Sequence, residues 1–443
     1  MRTSSRLWRL LAILMAFSLL AAACGNDDDD DAAVDPGDDT EEPGDNGDDP
    51  EIDDDPIDVD FDTDTLTLGT LLPETGDLAF LGPPMVEAVN MAVRDINEAG
   101  GVLGNDVILE TGDSGTDPGV ANTTVDRLLG TVGVNALIGA AASGISNAVV
   151  DKITGSGIVQ CSPSNTAASL SNAGVDGYYF RTAPSDDLQG PTLAEVVLGD
   201  GHANVAVIVR ADDYGVGFGD SIVETLEASG ATVVYDDAYD PRATNFDAEV
   251  QAIAAESPDA VVLISFEEGV QIIQTMIEEG VGPADVPLYI ADGLASGDLG
   301  ERIDPGNPSV AAAINGTQPS AAPEAGAAFF PDAFAEFAPD VDVIYSSQAY
   351  DCTMLIALAA EQAGTADPAA IRDNMESVSG PGGTECSTFA ECKELIDAGE
   401  EIDYQGASGP IDFDGSDPSI ASYDIFVYDD EGEQQVIEQV IAN

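Results

Sequence analysis

The feature that most restricts the fold is a repeated alternation of short apolar segments with longer amphipathic segments. From residue 66 the sequence predicts strand, helix, strand, helix and strand at 66–72, 84–98, 106–111, 118–129 and 136–138. The same order returns at 205–209, 217–228, 232–235, 246–256 and 260–265. Strands that alternate with helices form parallel sheets, because the chain must cross over a sheet face before the next strand can run in the same direction. The sequence therefore predicts an α/β protein with two doubly wound units.

The N-terminus has the layout of a secretory signal peptide over residues 1–23. Arg2, Arg6 and Arg9 precede an apolar run that is too short to span a bilayer comfortably. Cys24 follows three alanines, an ending that resembles the lipobox of a bacterial lipoprotein. We therefore expect a lipid anchor on Cys24, with cleavage of a plain signal peptide after one of the alanines as the alternative.

The segment 24–64 is predicted to be an acidic, disordered linker. It contains dense runs of Asp and Glu with several Pro and Gly, and no Lys or Arg. Such a segment repels itself and buries too little apolar surface to fold. The alternating Asp58, Asp60, Asp62 and Asp64 lack the turn glycine and the closing glutamate of a calcium loop, so no calcium site is expected there.

The chain is strongly acidic, with 84 Asp and Glu against 12 Lys and Arg. This balance excludes nucleic acid as a partner, because binding to a phosphate backbone depends on Lys and Arg. An acidic excess that extends through the folded part suits a surface exposed to high ionic strength, where screening relieves the repulsion. A saline habitat is therefore a hypothesis.

Four cysteines follow the linker, and an even number in an oxidising compartment indicates disulfides. Cys386 and Cys392 are close in sequence, so a local disulfide between them is expected. Cys161 and Cys352 are then either partners or buried free thiols. The spacings do not resemble a zinc site. We expect no metal and no cofactor.

Enzyme motifs have little support in the sequence. Residues 112–115 resemble the surroundings of a serine-protease nucleophile, but the single histidine, His202, follows them and the domain pattern is wrong for that class. The glycine-rich residues 215–219 lack the lysine of a P-loop. Carboxylates are so numerous that neighbouring pairs do not indicate glycoside hydrolysis. The chain is therefore not expected to be an enzyme.

Two stretches, 139–146 and 162–166, carry small residues and hydroxyls directly after predicted strands. The first opens a helix, where free backbone N–H groups favour a carboxylate. Strand ends of such sheets are also where ligands bind. The alternative is that Ser143 and Thr166 only cap helices.

A third stretch, 178–190, ends the first α/β unit and leads into the second. The order and spacing of these stretches resemble the periplasmic leucine/isoleucine/valine-binding family of ABC importers, also called type I periplasmic binding proteins. Further matching segments lie at 69–73, 95–101, 213–215 and 409–414. The resemblance implies two Rossmann-like lobes joined by a three-strand hinge, with lobe one at 65–184 plus 317–404 and lobe two at 185–316 plus 405–443.

The resemblance also implies a ligand site in the cleft between the lobes. Ser143 and Thr166 would hold the α-carboxylate of an amino acid. The other implied contacts are the backbone of Ala142 and Asn165, the Asp292 carboxylate for the α-ammonium, and the side chains of Tyr214 and Phe266 that close over the ligand. Leu81, near the first strand-to-helix turn, is a candidate wall for an aliphatic side chain.

The expected function is that of a monomeric, lipid-anchored, extracytoplasmic solute-binding protein. It would capture a branched-chain or other aliphatic amino acid and deliver it to an ABC permease in the membrane. Within the same fold, the alternative is a binding component or sensor for another small polar solute such as an amide or urea. A hydrolase and a structural or adhesive surface protein are the alternatives from other classes.

Overall fold

The computed structural model describes residues 55–321 and 328–442. The predicted signal peptide, Cys24 and the linker up to residue 54 lie outside these described residues. Within the described ranges, no helix has both the length and the apolar character needed to cross a membrane.

The first part of the chain forms a five-stranded parallel sheet with the order β2-β1-β3-β4-β5. Its strands are β1 (Thr67–Leu71), β2 (Ile108–Glu110), β3 (Ala136–Gly139), β4 (Val159–Ser162) and β5 (Tyr179–Arg181). The helices between them are α1 (Gly82–Glu98), α2 (Pro118–Arg127) and α3 (Ser143–Gly155), with a π-helical turn at Leu128–Val132 and a 3-10 turn at Ala168–Leu170. The predicted βαβ order is confirmed.

The second part builds most of a larger sheet. Its strands are β6 (Asn204–Arg210), β7 (Thr232–Tyr239), β8 (Ala260–Ile264), β9 (Leu288–Ala291) and β10 (Ile314–Pro319). The helices are α4 (Asp186–Gly199), α5 (Asp213–Ala228), α6 (Asp247–Glu256), α7 (Gly269–Glu278) and α8 (Leu299–Ile303), with a 3-10 turn at Pro308–Ala311. All five residues of β8 are buried, as expected for a strand covered by helices on both faces.

The rest of the chain first adds helices and short strands beside the smaller sheet and then completes the larger one. The helices are α9 (Phe330–Phe337), α10 (Ser346–Ala363), α11 (Pro368–Ser379) and α12 (Phe389–Ala398). The strands are β11 (Thr384–Cys386), β12 (Ile402–Gly406), β13 (Gly409–Pro410), β14 (Phe413–Asp414), β15 (Asp417–Pro418), β16 (Ala421–Tyr428) and β17 (Gln434–Ala442). The larger sheet has the order β17-β16-β10-β9-β8-β6-β7.

The connections between the two sheets lie side by side. Thr182 donates from its hydroxyl to the carbonyl of Gln348 at 2.9 Å, and the Ser320 N–H donates to the carbonyl of Ser422 at 2.9 Å. The predicted boundary at residue 317 falls inside β10, which stays in the larger sheet to Pro319. Arg181 on β5 pairs with Asp417 at 2.7 Å, which places β15 beside the smaller sheet. The residue limits of the lobes stay predictions.

Helix α5 begins four residues earlier than the sequence predicts. The Asp212 side chain caps it by accepting from the Gly215 N–H at 2.9 Å. Gly215 sits inside the helix because a Cβ there would meet the Arg210 carbonyl oxygen at 2.2 Å. Gly215, one of the glycine-rich residues 215–219, therefore allows α5 to approach the end of β6 closely.

Two disulfides stabilise the smaller-sheet lobe. Cys161 on β4 is joined to Cys352 on α10, and Cys386 on β11 is joined to Cys392 on α12. The expected local disulfide is confirmed, and Cys161 and Cys352 are partners. Helix α10 is buried from Ser346 to Glu361, as expected for a helix that lies at the centre of a core.

The last ten residues of the predicted linker, 55–64, pack on the base of the smaller-sheet lobe. Ile57, Val59 and Phe61 are partly buried against its core, while the intervening Asp side chains are exposed. An extended chain directs alternate side chains to opposite sides, so a period-two apolar pattern can bind a surface even in an acidic segment. The prediction of an unpacked linker is therefore wrong for 55–64, which we call the strap.

Hydrogen bonds fix the strap beside the amino ends of the strands. The Ile57 N–H donates to Ser156 Oγ at 2.8 Å. Asn135, just before β3, donates from Nδ2 to the Asp62 carbonyl at 2.7 Å, and Asn105, just before β2, donates to the Asp64 carbonyl at 3.0 Å. The strap thus lies at the end of the sheet opposite to the strand ends that carry the predicted site.

Candidate functional site

The loop after β3 ends in a helix start that has no side-chain cap. Ala142 is the cap residue of α3 and Ser143 is its first residue. Alanine has no oxygen to accept from the first N–H groups of the helix, so these donors are available to an anion. The Ser143 hydroxyl, on a residue only 3% exposed, accepts from the Ala167 N–H at 3.3 Å. This hydroxyl therefore also links the first loop to the second.

The loop after β4 is braced against the first loop. Ser162 donates from Oγ to the Ala140 carbonyl at 2.7 Å and accepts from the Asn165 N–H at 3.0 Å. Asn165 donates from Nδ2 to the Ala141 carbonyl at 2.8 Å. These bonds hold the two loops in one rigid surface.

Both loops line a small cavity between the lobes. The lining residues are Leu78, Leu81, Ala141, Ala142, Ser143, Ser164, Thr166, Tyr214, Phe266, Asp292, Gly293 and Tyr345. Every predicted ligand-binding residue except Asn165 is among them. Both the N–H and the side chain of Asn165 bond to neighbouring loop residues, so we assign it a supporting position behind the cavity instead of the predicted backbone contact.

The wall from the larger-sheet lobe is aromatic. Tyr214 lies in the first turn of α5, and Phe266 follows β8. Their rings stack at a centroid distance of 5.3 Å and an interplanar angle of 20°. Two flat apolar faces thus close one side of the cavity.

Asp292, just after β9, is the buried acid of the cavity. Tyr345 donates from its hydroxyl to Asp292 Oδ2 at 2.8 Å, and Gln189 donates from Nε2 to Oδ1 at 2.8 Å. Burial raises the pKa of Asp292 above its usual value, while these two donors oppose the rise. Tyr345 immediately precedes α10 and Asp292 follows β9, so this bond joins the two lobes.

Asp186, the first residue of α4, is a second acid beside Asp292. Burial and the nearby Asp292 charge raise the pKa of Asp186 well above its usual value. The Arg181 charge and the Thr166 hydroxyl lower the pKa of Asp186, but among the described residues no hydrogen bond of ordinary geometry reaches either carboxyl oxygen. Two buried carboxyls therefore lie close together, and no Lys or Arg is among the residues that line the cavity.

The cavity therefore has two ends, which we call poles, that favour ligand groups of opposite charge. One pole offers the hydroxyls of Ser143 and Thr166 and the N–H groups at the start of α3, which suit a carboxylate. The other offers the Asp292 carboxyl, which suits a cation. Within the described ranges, no group of three or more His, Cys, Asp or Glu side chains is placed to hold a metal ion.

Comparison with known proteins gives the family. Residues 65–422 match the sequence profile of the family described as periplasmic binding protein. This chain belongs to the periplasmic binding protein family. A member from Halobacterium salinarum, a chemotactic signal transduction system substrate-binding protein, is 30% identical over 368 residues, which cover 81% of this chain and 86% of that one.

Solved structures of other periplasmic binding proteins share the fold. The branched-chain amino acid transporter substrate-binding protein LivJ of Streptococcus pneumoniae, in complex with isoleucine, has a TM-score of 0.70 at 22% identity and covers 85% of this chain and 99% of its own. A solute-binding protein of R. palustris in complex with 4-hydroxybenzoate has a TM-score of 0.68 at 18% identity, covering 85% of this chain and 97% of its own. The predicted two-lobed type I fold and the family resemblance are confirmed.

Several lining residues were missed in the sequence. Ser164 and Gly293 are neighbours of predicted residues, and Leu78 lies one turn before Leu81, so a search around each predicted residue would have included them. Tyr345 gives no such signal, because it comes from a distant helix start and adopts a left-handed backbone with φ of 57°. Asp186, which does not line the cavity but lies beside Asp292, was also missed; it follows Ser185 and precedes Asp187 in the sequence, and only burial distinguishes the two acids.

Proposed function

We propose that this chain is the extracytoplasmic binding protein of an ABC importer and captures an aliphatic amino acid between its lobes. The closed complex would deliver the ligand to a membrane permease, with Cys24 as the lipid anchor. Family membership supports capture of a solute, and the cavity chemistry supports an amino acid as that solute.

The observation that carries the proposal is the pairing of an anion-favouring pole with a buried acid in one small cavity. An α-amino acid presents a carboxylate and an ammonium group on one carbon. A buried charge without a partner costs several kcal/mol, so both charges of a captured zwitterion need partners. Ser143 and Thr166 with the start of α3 suit the first charge, and Asp292 suits the second.

The acidic pole favours an ammonium-bearing ligand over an aromatic acid. An anion such as 4-hydroxybenzoate would leave Asp292 without a cation and would add a third acidic group near Asp292 and Asp186. An amino acid brings its own positive charge to the two carboxyls. Burial raises the pKa of each acid, and a bound cation would stabilise the charged carboxylate and oppose this rise. A raised pKa is therefore expected in a cation site that is empty.

The remaining walls favour a short aliphatic side chain. Leu78 and Leu81 lie on one side, and Tyr214 and Phe266 on the other. These walls suit leucine, isoleucine or valine better than a polar amide or urea.

A sensor role is the second candidate function. The Halobacterium salinarum relative is a substrate-binding protein of a chemotactic system, and it shares 30% identity across most of both chains. A sensor and an importer component would use the same cavity and differ only in the membrane partner. Deleting the gene and measuring uptake of labelled leucine and chemotaxis toward leucine separates the two.

The decisive test of ligand class is calorimetric titration of the folded protein with leucine at constant high salt. We expect wild type to bind, and Asp292→Asn to bind at least about a hundredfold more weakly, because breaking a buried ion pair costs roughly 3–5 kcal/mol. Asp285→Asn removes an exposed carboxylate from the same part of the chain and should bind as wild type does. Unchanged affinity in Asp292→Asn would exclude the ammonium pair, and wild type that binds none of the common amino acids would refute the proposed function.

A further inference from the structure

Arg210, at the end of β6, is a buried cation directly behind the aromatic wall of the cavity. Its side chain is only 6% exposed. The guanidinium carbon lies 3.5 Å from the centroid of the Phe266 ring, a close cation–π contact. Phe266 in turn stacks on Tyr214 at 5.3 Å. The guanidinium thus contacts one ring of the pair that faces the cavity, and that ring contacts the other.

Two acids hold the guanidinium in a fixed plane. Arg210 Nε donates to Asp212 Oδ2 at 2.6 Å, and Nη1 donates to Glu268 Oε1 at 2.8 Å. A planar guanidinium can stack on a ring and bond to two carboxylates at the same time, which the single ammonium of lysine cannot do. Three contacts therefore fix the position of the Arg210 guanidinium, one with the Phe266 ring and two with carboxylates.

Each of these acids also fixes the backbone that carries one ring. Asp212 accepts from the Gly215 N–H at 2.9 Å and so caps the helix whose first turn contains Tyr214. Glu268 Oε1 accepts from the Phe266 N–H at 3.2 Å and from the Tyr239 hydroxyl at 2.7 Å. Without Arg210, two partly buried carboxylates would lose the cation that they share, and both ring-bearing segments would lose a common contact.

The backbone at Arg210 packs closely against the start of α5. A Cβ on Gly215 would meet the Arg210 carbonyl oxygen at 2.2 Å, so the start of α5 is pressed against the end of β6. The same Cβ would lie 2.6 Å from Arg210 Cγ, so the Arg210 side chain also packs against the start of α5. We therefore expect a change of this side chain to affect the segment that carries Tyr214.

We propose that Arg210 is a positioning residue that sets the aromatic wall against the ligand side chain and so determines side-chain selectivity. This inference rests on the proposed function, because the wall acts on the side chain of a captured amino acid. Arg210 does not line the cavity and would not touch the ligand.

The test compares leucine and alanine binding by calorimetry in Arg210→Lys. We expect leucine to bind roughly tenfold more weakly, because a lysine loses the stacked guanidinium and one of its two carboxylate bonds. Alanine, whose methyl group contacts little of the wall, should change much less, so the leucine-to-alanine affinity ratio falls. The matched control is Arg372→Lys, since Arg372 stacks on Tyr178 at 4.4 Å and pairs with Asp373 at 2.6 Å away from the cavity. It should leave the ratio unchanged.

Two further variants test the inference if Arg210→Lys does not fold. Glu268→Gln keeps the shape of the acceptor but removes one charge that holds Arg210, and it should lower the same ratio. In a Phe266→Leu background, Arg210→Lys should no longer change the ratio, because the ring through which it acts is absent. An unchanged ratio in both Arg210→Lys and Glu268→Gln would overturn the inference, as would equal losses for leucine and alanine.

Crystal structures of the empty wild type and Arg210→Lys test the positioning separately from ligand identity. We expect the Phe266 and Tyr214 rings to separate from their 5.3 Å stack in the variant. Rings that keep their positions would refute the role of Arg210 even if leucine is the wrong ligand. Wild type that binds no amino acid while the rings do move would refute only the proposed function.

Discussion

The two disulfides should differ strongly in what they contribute to stability, because they close loops of very different length. Cys161 and Cys352 are 191 residues apart, whereas Cys386 and Cys392 are 6 apart. In the chain-entropy description, a cross-link restricts the unfolded state more as the loop becomes longer. The two separations correspond to about 5 and about 2 kcal/mol at 25 °C. The long-range disulfide should therefore contribute about 3 kcal/mol more to the free energy of unfolding.

The assay is urea unfolding followed by far-UV circular dichroism at one fixed high salt concentration. Two variants are compared with wild type: Cys161→Ala with Cys352→Ala, and Cys386→Ala with Cys392→Ala. All four side chains are buried, at 3% exposure or less, so truncation to alanine should cost a similar amount in each pair. Equal losses in the two variants, or a larger loss from the short loop, would refute the chain-entropy reasoning for this protein.

Three further predictions concern the cavity, the strap and the surface. Asp186→Asn should raise the melting temperature of the empty protein and weaken leucine binding, because it removes a buried carboxyl that lies beside Asp292 and whose pKa is raised by burial. The raised pKa of Asp186 means that the folded state binds its proton more tightly than the unfolded state, so the contribution of Asp186 to the free energy of unfolding falls as pH rises above 3.8. The loss of melting temperature with rising pH should therefore be smaller in the variant than in wild type when both are scanned by thermal shift. Phe61→Ala should lower the free energy of unfolding in urea by about 1–2 kcal/mol, while Asp60→Ala on the exposed side of the strap should change it by less than about 0.5 kcal/mol; equal effects would contradict the packing of the strap. The melting temperature should fall steadily as salt is diluted, because screening weakens, and indifference to salt would argue against a saline habitat.

Much of the fold follows from local pattern. Apolar periodicity located β1 to β3 of the smaller sheet and β6 to β8 of the larger one, because buried parallel strands differ from amphipathic helices within a window of a few residues. The anion-favouring pole was also predictable, since a hydroxyl-rich loop between a strand and a helix places its N–H groups by local geometry alone. Ser143 and Thr166 accordingly line one cavity, as expected.

Features that depend on distant parts of the chain were not predictable. Tyr345 reaches Asp292 across the cleft, and nothing around residue 345 in the sequence indicates that its hydroxyl would bond to an acid from the other lobe. The start of α5 was misplaced because Gly215 packs against the Arg210 carbonyl, a contact between two separate elements. The strap was assigned to the linker because composition over a long window outweighed the alternation of Ile57, Val59 and Phe61.

The strap determines how mechanical load enters the molecule. Within the described part of the chain, tension from the N-terminal side enters at residues 55–64, where side-chain packing and hydrogen bonds to Ser156 and Asn135 at the base of one lobe would bear it. None of those contacts involves the connections between the lobes. If the chain is attached to a surface through its N-terminal side, the attachment would therefore restrain only the smaller-sheet lobe. A hinge motion of the other lobe would not work against that attachment.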